Sequence, residues 1–289
     1  MKEFKIRYKN KEVAVSNSWE ALTPEQYIEL IGWLTKAERG EMTADEVRCR
    51  LLCRLMDWDI RKIKDEESVE NLLSIADQLT FLFTRTTDPD NQEQPVDRAN
   101  LCFFAQLLPT VKIGEMTYFG YHADKGESSI TTSLTALQYI EAREAMAEER
   151  GYALAAAILY TPQPYDSRQA QVLESEFRQL PADILRAIIL NFQAVNTFLY
   201  TKTQFDLLAK FEPGKPKSIS TDASDALYDL TKDGLGNVDD VEKMNVITYL
   251  KILRKKTIDC VRQMHGMEID LAKIANETGL PISIITQII

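Results

Sequence analysis

Apolar and polar residues alternate near the start of the chain, over residues 3–16, with a break at Asn10-Lys11. The apolar positions of this alternation are Phe4, Ile6, Tyr8, Val13 and Val15. A period of two with a turn-forming pair in the middle predicts a β-hairpin. Residues 111–121 have the same character around Gly114-Glu115, and they predict a second hairpin.

Helical periodicity follows each predicted hairpin. Thr23, with Pro24 and Gln26 behind it, predicts a capped helix start, and Thr43 with Glu46 predicts another. Apolar spacing predicts further helices over residues 68–84, 134–149, 151–160, 168–179, 181–211, 221–232 and 238–264, and a final pair of helices split at Gly279-Leu280-Pro281. The predicted fold class is therefore mainly α with small β-hairpins (α+β).

Two sequence echoes predict an internal duplication. Residues 80–86 (TFLFTRT) match residues 197–203 (TFLYTKT) at five of seven positions, and residues 22–29 (LTPEQYIE) match 134–141 (LTALQYIE) at six of eight. We therefore expect a tandem duplication of a hairpin-plus-helices unit. The predicted domains are residues 1–95 as repeat unit 1, residues 96–211 as linker and repeat unit 2, and residues 218–289 as a helical C-terminal region.

The repeated motif contains Phe81 in its first copy and Phe198 in its second, and it has two interpretations. Either these side chains pack in the core of each predicted repeat, which predicts two equivalent buried positions, or the repeated motif forms a binding surface. Buried phenylalanines are costly to truncate, whereas surface ones are not. The sequence leaves both interpretations open.

Composition and charge indicate which broad classes of protein this chain can belong to. The chain has 289 residues, a net charge of −10 and 45% hydrophobic residues, as expected of a soluble globular protein. The acidic balance disfavours nucleic-acid binding, which needs clustered lysine and arginine. The N-terminus carries no apolar signal-peptide core and no stretch is apolar for long enough to span a bilayer, so we expect a cytoplasmic protein with no membrane segment.

Catalytic and metal-binding patterns are weak in the sequence. It has no Gly-rich phosphate loop, no Gly-x-Ser-x-Gly turn and no His-Glu-x-x-His pair. Cys49 and Cys53 are spaced for one helix face, but only His122 and His265 are present to complete a zinc site. We therefore predict no catalytic residues, no cofactor and no metal, with an enzyme that uses only Asp and Glu as the remaining alternative.

Several segments resemble proteins encoded in the tail-morphogenesis region of phages and prophages. They are Trp19-x-x-Leu-Thr-Pro-Glu-Gln-Tyr27, Ala156-Ala-Ile-Leu-Tyr160, Tyr165-Asp166 and Phe177-x-x-Leu-Pro181 with the long helix after it. The likeness covers about residues 15–210 and is to small acidic helical proteins of the tail-assembly-chaperone type. It implies a non-enzymatic protein of the bacterial cytoplasm, or of the virion, that binds a protein partner such as the tape-measure protein. The resemblance identifies no binding residues in this chain.

The C-terminal segment, residues 269–288, resembles a helix-turn-helix of DNA-binding regulators, with Ala275 and Gly279 at the small and turn positions. The would-be recognition helix has no lysine or arginine, and the chain ends before any third element could support the pair. Residues 281–289 contain five isoleucines. They predict internal packing, docking on a partner through Ile284, Ile285 and Ile288, or a DNA-associated regulator.

Overall fold

The computed structural model describes residues 3–8, 11–87, 95–148, 151–210, 231 and 237–289. About 58% of the structure is helical and 14% lies in small antiparallel strand pairs. The predicted class, mainly α with small β-hairpins, is confirmed. The helix predicted at 221–232 lies outside the described residues except for Thr231.

The helices, in chain order, are α1 (Pro24–Glu38), α2 (Ala44–Leu55), α3 (Glu66–Ala76), α4 (Ala136–Ala147), α5 (Tyr152–Tyr160), α6 (Ser167–Phe177), α7 (Ala182–Lys202), α8 (Val238–Glu242), α9 (Val246–Gly266), α10 (Leu271–Thr278) and α11 (Ile282–Ile288). Short 3-10 helices cover Trp19–Ala21, Ile60–Lys62 and Gln204–Ala209.

The strands form two-stranded antiparallel sheets in the described part of the chain: β1 (Glu3–Tyr8) with β2 (Lys11–Ser16), β3 (Phe83–Thr87) with β4 (Pro95–Ala99), β5 (Thr110–Ile113) with β6 (Met116–Phe119), and β7 (Ala123–Lys125) with β8 (Ile130–Thr132). The two predicted hairpins are β1–β2 and β5–β6. Gly114 turns the second with φ +59°, a backbone conformation that glycine adopts without a steric penalty.

Contacts divide the chain into two compact units. Unit 1 contains residues 1–103 and 181–191, and unit 2 contains residues 104–180 and 192–289. The first half of α7 therefore belongs to unit 1 and its second half to unit 2. This grouping differs from the division predicted from sequence, chiefly because the C-terminal helices share a unit with residues 104–180. The three-part division remains a prediction.

Unit 1 is built on two helices that begin as predicted. The Thr23 side chain accepts from the Gln26 backbone N–H while the Gln26 side chain accepts from the Thr23 N–H, and Thr43 and Glu46 make the same reciprocal pair. These bonds satisfy N–H groups that have no partner inside the helix. Tyr27 is fully buried on α1, and its hydroxyl donates to the Ala187 carbonyl at 3.1 Å.

Unit 2 has an aromatic core around the second half of α7. The Phe192 ring meets the ring of Tyr139 on α4 edge to face at 5.8 Å, and it meets Tyr121 in the same way at 6.2 Å. Gln138 is buried beside this core, and its side-chain amide donates to the Ile158 carbonyl at 2.8 Å. The Gln138 amide thus has a partner, which offsets the cost of removing it from water, whereas the buried Tyr121 hydroxyl has no hydrogen-bond partner among the described residues.

The helix predicted over residues 68–84 is wrong beyond Ala76. Helix α3 ends there, and Thr80 to Leu82 form a turn that leads into β3. The Asn17 side chain stabilises this turn because its amide donates to the Gln78 carbonyl at 2.9 Å. Threonine and phenylalanine both favour strands, and pairing with β4 decides the outcome.

Residues 197–203, which repeat the sequence of residues 80–86, have a different structure. Residues 197–202 continue α7, and Thr197, Thr201 and Thr203 each donate a hydroxyl hydrogen bond to the carbonyl four residues before. Such bonds let threonine remain in a helix without an unsatisfied hydroxyl. A structural duplication is not shown. Phe81 is half-buried beside a turn, whereas Phe198 is buried in a helix, so the two positions are not equivalent.

The second sequence echo does have one local structure in both copies. Thr23 and Thr135 are both N-cap residues whose side chains accept from the backbone N–H three residues later. Tyr27 and Tyr139 are both buried on the helices that follow. A shared helix-start sequence accounts for this likeness without a duplicated domain.

The helix predicted over residues 238–264 is interrupted in the structure. Asn245 pairs with Thr135 in an isolated bridge, where the Val246 N–H donates to the Leu134 carbonyl at 3.0 Å and the Ala136 N–H donates to the Met244 carbonyl at 2.7 Å. These bonds require an extended residue between α8 and α9. The Asn245 side chain then caps the new helix.

Candidate partner-binding surface at the C-terminal helices

The C-terminal helix pair forms as the sequence predicts. The Asp270 side chain accepts from the Lys273 N–H at 2.9 Å and caps α10. Gly279 ends that helix with φ +71°, the left-handed conformation common after a helix end. Helix α11 begins directly after Pro281. The two helices are therefore connected by a turn of three residues.

A third element supports this pair, which the sequence interpretation did not predict. Val261 on α9 is fully buried in one cluster with residues of α10, the turn and α11. The cluster consists of Leu207, Val261, Ile274, Ala275, Leu280 and Ile285. The expectation that the pair lacks support is wrong because the supporting helix comes before the pair in the chain and not after it.

The predicted partner-binding isoleucines lie at different depths. Ile285 is 0% exposed in the cluster, so it cannot touch a partner unless the cluster opens. This corrects its assignment as a contact residue. Ile284 and Ile288 are partly buried and pack against the same cluster, so each keeps part of its side chain at the surface.

The more exposed isoleucines of this segment are Ile282 on α11 and Ile289 directly after it, at 48% and 47%. They lie seven residues apart, which places them on the same side of a helix. The Ile289 N–H still donates to the Ile285 carbonyl at 3.2 Å, so the helical path continues to the last residue. We call Ile282 and Ile289 the isoleucine ridge. The seven-residue spacing was visible in the sequence, but the sequence alone did not show which isoleucines face inward.

Polar groups surround the isoleucine ridge. Arg262 on α9 donates from Nε to the Ile288 carbonyl at 3.2 Å, which satisfies a carbonyl at the end of α11 and places a positive charge nearby. Helix α11 also exposes Ser283, Thr286 and Gln287. The surface thus combines exposed apolar side chains with a neighbouring cation, a composition suited to a partner with an apolar stripe and carboxylates.

The cysteine pair considered for a metal site is buried on α2. Burial raises the pKa of Cys49 to about 11, and burial also raises the pKa of Cys53, so both thiols stay neutral at physiological pH. A neutral buried thiol is a poor metal ligand and nucleophile. Within the described ranges, no group of three or more His, Cys, Asp or Glu side chains is arranged to hold a metal ion.

Comparisons with protein-family models, with curated proteins and with solved structures found no match. Over the part of the chain that the structure describes, every helix is too short or too polar to cross a bilayer. The isoleucine ridge, with Arg262 beside it, is the candidate partner-binding surface of this region.

Proposed function

We propose that this chain is a non-enzymatic assembly protein of a phage or prophage tail that acts by binding another protein. The proposed partner is the tape-measure protein or another tail protein, which the chain would hold before the tail polymerises. The proposed location is the cytoplasm of the bacterial host, with retention in the virion as an alternative. The resemblance of residues 15–210 to tail-assembly chaperones motivates this proposal.

The exposed apolar side chains of the isoleucine ridge support this proposal. Two large apolar side chains, at the start of α11 and directly after its end, are each about half exposed, and Ile285 between them is buried in the core. A helix held in this way presents its apolar side chains on an ordered backbone, which lowers the ordering cost of binding. The proposed occupant is an amphipathic helix of the partner, whose apolar stripe covers the ridge and whose carboxylates approach Arg262.

Co-expression of the full chain with the proposed partner, a tape-measure protein of the same phage or prophage, tests this proposal. We expect the two proteins to co-purify, and Ile282→Glu with Ile289→Glu to abolish the complex because each change buries a charge in the interface. Val172→Glu is the matched control, because Val172 is 71% exposed on α6 and lies outside the ridge. Failure of the two wild-type proteins to associate, or equal effects of ridge and control changes, would contradict the proposal.

A DNA-associated regulator remains the second proposal, because one observation favours it. The α10–α11 pair has the turn glycine and the supporting helix of a helix-turn-helix. The residues exposed on α11 include no cation to meet phosphates, which opposes it. Retention of the full chain on duplex DNA, with an affinity that falls steeply as salt rises, would favour this function over the first.

A further inference from the structure

A pocket of about 370 Å³ opens in unit 2 beside α4, the second half of α7 and α9. It shares no residue with the isoleucine ridge. Its apolar wall consists of Ile140, Ala147, Leu208, Leu250 and Leu253. A volume of this size lies within the range of pockets that bind small molecules.

The polar side of the pocket presents hydrogen-bond donors. The buried Tyr139 hydroxyl donates to the Tyr200 hydroxyl at 3.1 Å, and Arg143 donates to the same oxygen at 3.2 Å. Since Tyr200 accepts both bonds, its own proton is directed elsewhere. A guanidinium has five N–H groups, so Arg143 also keeps donors for a ligand.

Tyr249 adds a hydroxyl that has no hydrogen-bond partner among the described residues. The residue is 3% exposed and lines the pocket, and among the described residues no group makes a hydrogen bond with its hydroxyl. Burial raises the pKa of Tyr249, so the hydroxyl stays protonated and able to donate. Because Tyr249 lines the pocket, its hydroxyl is available to donate to a ligand there.

Arg143 is held in position by aromatic rings instead of by a carboxylate. Its guanidinium lies 5.6 Å from the ring centroids of both Tyr139 and Tyr200, and among the described residues it makes no ion pair. A planar guanidinium fixed in this way is suited to a carboxylate, which it binds through two parallel hydrogen bonds. Glu144 also lines the pocket, and its negative charge disfavours a ligand with two charges such as a phosphate.

We propose that this pocket binds a small monocarboxylate with an apolar body. The carboxylate lies against Arg143 and receives hydrogen bonds from the hydroxyls of Tyr200 and Tyr249, and the apolar body lies against the leucines and Ile140. Nothing in this arrangement requires that the isoleucine ridge be a partner site, so the two proposals succeed or fail separately.

Paired probes measure the contribution of the carboxylate. Hexanoate, benzoate and N-acetyl-phenylalanine are each titrated into the full chain beside their neutral amides, with calorimetry and ligand-observed NMR as readouts. We expect at least one acid to bind about tenfold or more tightly than its amide, a preference that a charge-assisted bidentate contact supplies.

Single substitutions test which side chains cause the preference for the acid over its amide. Arg143→Met should remove the preference for the acid. Tyr249→Phe should weaken acid binding severalfold while folding is retained, since no described residue forms a hydrogen bond with its hydroxyl. Arg168→Met, at an exposed position of α6, is the control and should leave binding unchanged.

Two results would overturn the proposal. One is equal binding, or no binding, of the acid and the amide for every pair. The other is an acid preference that survives in Arg143→Met, because the carboxylate would then lie at another site. If Arg143→Met fails to fold, as judged by circular dichroism, Tyr249→Phe decides the matter, and unchanged acid affinity in that variant rejects the site.

Discussion

The hydroxyls of Tyr139 and Tyr200 lie 3.1 Å apart, and their hydrogen bond connects α4 to the second half of α7. Tyr139 is buried, and Tyr200 also accepts a bond from Arg143. This connection positions the cation of the proposed pocket, so it affects both the stability of unit 2 and the chemistry of its cavity.

Tyr139→Phe should lower the free energy of unfolding by about 0.5–1.5 kcal/mol, the usual net value of one internal hydrogen bond. The loss stays modest because Tyr200 keeps its bond from Arg143. Urea denaturation measures the change. Tyr152→Phe, at a tyrosine 43% exposed, is the matched control and should stay near wild type. Equal stability of the two variants would show that the buried bond contributes nothing.

Ile285 and Ile289 should differ sharply in their effect on stability. Ile285→Ala removes a fully buried side chain from the C-terminal cluster and should cost about 2–5 kcal/mol. Ile289→Ala changes a half-exposed side chain and should stay within about 0.5 kcal/mol. Thermal or chemical unfolding distinguishes them. Similar losses of stability in the two variants would contradict the burial of Ile285 and the exposure of Ile289 described above.

Phe198→Ala should destabilise the protein more than Phe81→Ala. Phe198 is 8% exposed and meets the Phe104 ring at 5.6 Å, so its truncation should cost about 3–5 kcal/mol. Phe81 is half-buried and packs edge to face on Trp19 at 5.3 Å, so part of its surface already faces water. Denaturant midpoints of the two variants provide the comparison, and the reverse order would contradict the assigned environments.

High pH should unfold the protein. Burial raises the pKa values of Tyr121, Tyr139 and Tyr160 in the folded state, whereas an unfolded tyrosine ionises near pH 10. A group with a raised folded pKa contributes stability that is present below its unfolded pKa and is lost as pH rises above it. The free energy of unfolding should therefore fall above about pH 10.

The alkaline prediction has a direct optical readout. Tyrosinate absorbance should rise in two phases, first from exposed tyrosines and then, in step with loss of the circular dichroism signal, from the buried ones. Ionisation of all tyrosines near pH 10 in a protein that remains folded would contradict the burial described for these three residues.

Local signals in the sequence predicted much of the fold. The caps at Thr23 and Thr43 are decided by side chains within three residues of each other, so the sequence contains all that is needed to find them. Hairpin β5–β6 is likewise predicted by local alternation around Gly114.

Elements that depend on distant partners were not predictable in this way. Thr80–Thr86 and Thr197–Thr203 have nearly the same sequence, yet one enters a strand because β4 pairs with it and the other continues a helix. Asn245 interrupts a helical pattern because of its bridge to Thr135. For the C-terminal site, composition indicated an apolar segment, but only the packing against α9 shows that Ile285 is buried while Ile282 and Ile289 stay about half exposed.

Site-specific photocrosslinking tests the proposed tail-assembly function most directly. A benzophenone amino acid replaces Ile289 in the full chain, which is expressed with the proposed tape-measure partner. We expect a covalent product with that protein after irradiation, and none when the same group replaces Val172 on α6. Absence of the product at position 289, or an equal yield at position 172, would contradict binding through the isoleucine ridge.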